Sequence, residues 1–356
     1  MKLNKNKAII VGIFLGAVFV MFMYRTIPRT NTSKLTISEN NTKKIYTATT
    51  TPDGKLYQYV SFSFDGGRSI DVWRKTLDFA KKMDKAGIPI HFTYFINAIY
   101  IVPEAHKDIY HPPNNPIGKS LIGYGSNTEE ISKRISLINE AYRSGHEIGS
   151  HGVGHNPGYN WTKDDWLSEL SQFNDILAGA RNGVDTTIPL EVPATAIKGF
   201  RAPNLVVDVG LTQALDQLGY IYDASRTAKV GSWPGMDGGH AEMSLALIPY
   251  AGKKILSMDY NFYLSDSGAK DTLKKSDPNW QKKHDEMLAA YMNYFTTNYN
   301  SNRAPVFIGH HFAEWNDGLY SDVLEEAIKG ICGKPYVRCA THKETLDYLN
   351  LVRFTP

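Results

Sequence analysis

The chain has 356 residues, 42% apolar and 21% charged, an ordinary globular composition with room for one large domain or two smaller ones. Its formal net charge is +3, and Lys2, Lys5 and Lys7 sit at the extreme N-terminus, so the remainder is near neutral. With no basic stripe to hold a phosphate backbone, nucleic acid is not expected as a partner.

Residues 1–7 read as a cytoplasmic tail. Residues 8–24 (AIIVGIFLGAVFVMFMY) are uninterruptedly apolar or glycine and nearly span a hydrocarbon core of ~30 Å, so they read as a transmembrane signal-anchor. The lysines before the segment send everything after Arg25 across the membrane, to the periplasm or cell exterior. A cleaved signal peptide is the competing reading, although no small-x-small site follows before Arg25. Residues 25–56 are polar and aperiodic, a linker.

From Tyr57 short apolar runs alternate with helical patterns. Strands are predicted at 57–64, 88–95, 146–150, 195–200, 220–223, 255–258 and 306–308. Helices are predicted at 69–86, 129–144, 162–177, 211–218, 280–299, 320–329 and 343–351. The third of these opens on Thr162 with Asp165 three residues on, a capping-box pattern. Such alternation predicts a largely parallel sheet with helices outside, one α/β barrel-like domain over 57–356. Residues 97–127 break the rhythm with Pro103, Pro112, Pro113 and Pro116; they either shape a groove over the strand ends or are a decorative excursion. Cys332 and Cys339 lie close together, and an oxidising compartment favours a disulfide between them over two free buried thiols. Their spacing suits neither a redox motif nor a zinc finger.

In parallel sheets ligands bind at the C-terminal strand ends, and the unusual residues fall there. Asp65-Gly66-Gly67 follows the first strand, and His151 and His155 follow the third. Arg201-Ala202-Pro203 follows the fourth, Asp223 ends the next, and His310-His311 follow the last long one. Histidines four apart among glycines can converge on one cation, although that spacing alone is as often a solvated loop. Two imidazoles and a carboxylate suit a catalytic divalent metal that acidifies water and polarises a carbonyl. A further carboxylate can take the water's proton and a separate histidine can protonate the leaving group. An arginine beside the base would hold it oriented and ionised. These parts suit metal-assisted hydrolysis of an amide or ester.

The order Ser63-Phe64-Asp65-Gly66-Gly67, His151-Gly152-Val153-Gly154-His155, Arg201-Ala202-Pro203, Asp223 and His310 resembles the polysaccharide deacetylases of carbohydrate esterase family four. The resemblance runs from Tyr57 to the C-terminus. It implies a distorted (β/α) barrel, which in this chain follows the one N-terminal transmembrane helix read from residues 8–24. It also implies a divalent metal ion of the zinc type and removal of N- or O-acetyl groups from an extracellular polysaccharide. Carried over, His151 and His155 are the metal-binding histidines, Asp65 the base, Arg201 the residue orienting it, and His310 the general acid. His311 would exchange roles with His310 after a one-residue shift. Asp223 is the expected support of that acid, with Asp259 in reserve. Pro203, Trp233 and Ile308 are the expected substrate-side residues, Ile308 at the acetyl pocket, and Trp233 and Trp315 could stack on sugar faces.

Two positions depart from the family pattern: Gly66 stands where a second aspartate would ligate the metal, and Gly152 replaces a Ser or Thr. Asp65 then either serves as base beside a metal held by the two histidines, water and another carboxylate, or turns to ligate the metal itself with the base supplied elsewhere, or the site only binds glycan. A catalytically silent glycan-binding protein and a hydrolase of another C–N bond in a small amide are the alternatives.

Overall fold

Nearly every residue of β1 (Gln58–Gly66, QYVSFSFDG) is buried, because both faces of the strand are covered, one by helices and one by the barrel interior. In this computed structural model, residues 50–352 are described. The expected tail, membrane anchor and most of the linker lie outside the described residues. No helix among the described residues is long and apolar enough to cross a membrane. The end of the linker is folded: Thr50 bridges Leu56, and the Thr51 hydroxyl bonds the Lys55 carbonyl at 3.0 Å.

After β1 come α1 (Ile70–Lys85), β2 (Phe92–Ile96), α2 (Thr128–Arg143), β3 (Glu147–Ser150), α3 (Lys163–Arg181), β4 (Gly199–Phe200), α4 (Val209–Leu218) and β5 (Tyr222–Asp223). Five short strands follow: β6 (Thr227–Lys229), β7 (Gly235–Asp237), β8 (His240–Glu242), β9 (Leu245–Tyr250) and β10 (Lys253–Leu256). The chain then forms α5 (Asp259–Ser267), α6 (Pro278–Asn300), β11 (Val306–His311), α7 (Trp315–Cys332), β12 (Val337–Cys339) and α8 (His342–Val352). Local chemistry sets the helix starts. Ser69, Asn127 and Asp208 each accept a backbone N–H at an N-cap, and Thr162 with Asp165 closes a full capping box.

The main sheet runs β11-β1-β2-β3-β4-β5-β8-β7, parallel except for the β7–β8 pair, with β12 also on β1. It is an open α/β half-barrel, the coarser form of the expected fold. The predicted strand at 255–258 does not join that parallel sheet. It is β10, antiparallel to β9 in a separate three-stranded sheet, because Ala251 and Gly252 both turn left-handed and close a hairpin. That smaller sheet touches the main one where Met258 bridges Gly309.

The Cys332–Cys339 disulfide is present, with Cα atoms 5.7 Å apart, tying the end of α7 to β12. Closing a loop this short removes roughly 2 kcal/mol of unfolded-chain entropy. The Cys332→Ser, Cys339→Ser double variant should lose about that much unfolding free energy in urea titrations, and the same loss should appear when the parent protein is reduced.

Candidate active site

Arg201, at the end of β4, is completely buried, and its side chain meets three other strand ends. Nη1 donates to Asp65 Oδ1 at 2.7 Å and to Ser63 Oγ at 2.9 Å, both on β1. Nε donates to the Ala224 carbonyl past β5, and the guanidinium lies 4.4 Å from the Phe95 ring of β2. The Arg201 carbonyl accepts from His151 Nδ1 at 2.7 Å. Asp65 is buried too, and its Oδ2 takes no hydrogen bond among the described residues. Arg201 therefore fixes which carboxylate oxygen is spent on structure and which is left for chemistry.

His151 leaves β3 directly, and His155 closes the loop in a left-handed conformation at φ 58°. Because His151 Nδ1 donates its proton to the Arg201 carbonyl, Nε2 carries the free lone pair. The two ring centroids are 5.0 Å apart. Burial pushes both imidazoliums down, His155 to about 3, so both rings are neutral near pH 7. The loop between them is braced from below. Glu169 of α3 accepts the Val153 N–H at 2.7 Å and the Tyr110 hydroxyl at 2.8 Å. A Cβ on Gly152 would lie 3.0 Å from the Glu169 carboxylate, so the missing Ser or Thr makes room for it. The 97–127 segment supplies Tyr110 and further ties: Ala98 N–H to Gly152 O, Ile99 N–H to Val153 O, and Leu121 N–H to Gly154 O. It is neither decoration nor a free loop; it holds the histidines in place.

The β1–β11 register decides between the adjacent histidines. Asp65 pairs with His311 and Phe64 with His310, and paired residues on parallel strands share a face. His310 thus turns with Phe64 toward the helices, where it is buried and its Nε2 meets the Tyr291 hydroxyl at 3.1 Å. Burial pushes its pKa to about 4. His311 turns with Asp65 to the inner face and is only partly buried. Asp259 accepts from His311 Nδ1 at 2.6 Å and from its backbone N–H at 2.8 Å. Burial pulls the His311 imidazolium down, but Asp259 outweighs it and the pKa ends above the ordinary value.

Three expected placements are corrected. His310 does not face Asp65, because one residue of register reverses the face. Asp223 does not support either histidine: it accepts from the Ser225 N–H and hydroxyl, and Ser225 Oγ takes the Ala202 N–H at 2.7 Å, which steadies the segment after Arg201. Ile308 shares the face of Phe62 and packs in the helix-side core, away from any acetyl pocket. Pro203 lies 3.8 Å from where a Gly152 Cβ would stand, and Trp233 packs on the cluster inside the barrel. Trp315 is 5.4 Å from His311 and stacks on Tyr263 at 4.7 Å. Sequence reading missed Tyr291, Glu169 and Asn97; only their place in the fold brings them to the site.

A family model described as polysaccharide deacetylase matches residues 55–222. Over that stretch the chain is similar to the polysaccharide deacetylases. Among solved structures, a protein of Mycobacterium smegmatis assigned to the polysaccharide deacetylases is 16% identical with a TM-score of 0.55, covering 86% of this chain and 94% of that one. The CE4 domain of a multidomain xylanase from the hindgut metagenome of Trinervitermes trinervoides is 14% identical (TM-score 0.42; 82% and 90% covered). A family 4 carbohydrate esterase from Streptomyces lividans is also 14% identical (TM-score 0.40; 80% and 91% covered). No curated protein matches the chain. The Mycobacterium structure shares the fold.

For a deacetylase fold a divalent ion is the natural cofactor, and the donors can be tested against it. Among the described residues no three His, Cys, Asp or Glu are grouped closely enough to share an ion as they stand, although Asp65 acts electrostatically on both imidazoles. The histidine pair itself fits. Imidazoles bound at about 2.0–2.1 Å around a tetrahedral ion have centroids roughly 5 Å apart. The observed 5.0 Å separation, neutral rings and a free Nε2 on His151 meet that requirement.

The brace beneath the loop titrates. Burial raises Glu169 to about 7, only partly offset by the Val153 N–H and Tyr110 hydroxyl. A carboxyl raised above its unfolded value holds its proton better when folded, so its contribution is full below about pH 4.5 and lost as pH rises to about 7. The loss amounts to ~3 kcal/mol. Urea titrations in chelator at pH 5 and pH 8 should show Glu169→Gln losing less stability between the two than the parent, by about that amount.

Proposed function

We propose that this protein is a metal-dependent deacetylase of an extracytoplasmic polysaccharide, removing N-acetyl or O-acetyl groups, with Asp65 as base and His311 as acid. The observation that carries the reading is the facing of Asp65 and His311 across adjacent strands, each bound to a buried partner of opposite charge. Asp65, held by Arg201 through Oδ1, presents Oδ2 to take a proton from the attacking water as that water adds to the acetyl carbon. His311, held by Asp259 through Nδ1, presents Nε2 to hand a proton to the departing amine or hydroxyl. A zinc-type ion, when held by His151 and His155, supplies Lewis-acid polarisation of the acetyl carbonyl and lowers the pKa of water. Tyr260 and Trp315 flank His311 and offer ring faces for sugars, and Pro203 and Trp233 stay candidates for the substrate side. The apolar segment 8–24 and the disulfide support anchoring to a membrane with the domain outside the cytoplasm. Among the described residues no third acidic or imidazole group joins the histidine pair as it stands, and that favours one other reading, a silent glycan-binding protein on the same barrel.

The full chain, incubated with zinc and acetylated chitooligosaccharides, acetylated xylan or peptidoglycan fragments, should release acetate. Asp65→Asn and His311→Ala should each lower kcat/KM by about 10²–10⁴, while His310→Ala stays within about tenfold. Sugar binding without acetate from any glycan would establish the silent reading instead; His310→Ala crippled while His311→Ala is not would reverse the acid assignment. Since Asp259 raises the His311 pKa, Asp259→Asn should move the alkaline limb of the kcat/KM profile to lower pH.

A further inference from the structure

The histidine pair needs a further protein donor to make a closed binding set, and among the described residues no carboxylate is grouped with it as it stands. The backbone at Gly66 turns through φ +106°, a conformation that L side chains rarely adopt, so an aspartate there would strain the strand end. A candidate lies one strand over. Asn97, at the end of β2, is 2% exposed, and its backbone N–H donates to Gly66 O at 2.9 Å. Its Nδ2 donates to the His151 carbonyl at 2.6 Å. A carbonyl can only accept, so that contact fixes the amide orientation and leaves Oδ1 pointing the other way. Oδ1 is buried and has no hydrogen-bond donor, and it lies 3.9 Å from where a Cβ on residue 66 would stand. A buried acceptor without a donor is costly, and a cation is a partner that relieves it.

We infer that Asn97 Oδ1 is the third protein donor of the ion held by His151 and His155, a neutral amide oxygen in the place of the usual carboxylate. The inference rests on the metal-dependent reading above. Amide oxygens bind divalent ions less tightly than carboxylates, so the site is one whose affinity rises when charge is restored. The test is a chelator-buffered zinc titration of the full chain by calorimetry, with circular dichroism confirming the fold of each variant. Asn97→Ala should weaken zinc binding at least tenfold. His151→Ala, the control on the reading itself, should abolish it. Parent-like affinity in Asn97→Ala overturns the inference while leaving the metal reading intact. Should Asn97→Ala fail to fold, Asn97→Ser, which keeps a hydroxyl donor but is too short to reach the ion, decides, and parent-like affinity there counts against Asn97. No zinc bound by the parent chain defeats both.

Discussion

Everything at the strand ends depends on a guanidinium that has no access to water. Removing an ion pair from solvent costs several kcal/mol per ion unless its hydrogen-bonding capacity is met inside. Arg201 meets most of it with Asp65, Ser63, the Ala224 carbonyl and the face of Phe95, and its own carbonyl orients His151. One side chain thereby couples β1, β2, β4 and β5 to the histidine loop that follows β3. The pair is therefore better understood as a device for fixing geometry than as a source of stability. A carboxylate held by one oxygen, with the other left open, is the consequence that matters for chemistry.

Much of this was legible in the sequence, and the boundary of legibility has a physical cause. Asp65, His151, His155 and Arg201 could be found because chemistry-bearing residues collect at strand ends, and the fold brings them together there. The choice between His310 and His311 could not be made the same way. Val306–His311 is buried on both sides, so its sequence lacks the apolar–polar alternation that would reveal which face each residue takes. Only pairing with β1 sets the parity, and the same parity removes Ile308 from the substrate side. Asp223 misled for a different reason: it does end a strand, but its carboxylate is consumed by Ser225, a partner two residues away.

The region between β5 and α5 was the least readable. Five strands of three to six residues give too little periodicity to register, and the hairpin joining β9 to β10 turns on Ala-Gly rather than the Asn-Gly or Asp-Gly that would announce it. Yet this region carries Asp259 to its place, since the smaller sheet reaches the main one at Met258, directly before that aspartate. A short-strand hairpin that is peripheral in the sequence pattern thus brings the carboxylate that raises the His311 pKa.

The long segment after β2 bears on how the histidines can be aimed at all. A loop carrying His155 at positive φ stores strain, and two imidazoles converge only if that loop has one conformation. Here three backbone hydrogen bonds from residues 97–127, a buried carboxyl and a buried phenol fix it from several sides. Such ordering is completed on folding rather than on encounter with a ligand, which is how a site keeps its donors in place without drawing on binding energy to assemble them. The prolines of that segment add to the same effect by limiting the unfolded chain. What reads as an interruption of the barrel pattern is thus the part that makes the histidine loop rigid, and Glu169 could occupy its place beneath the loop only because residue 152 has no side chain.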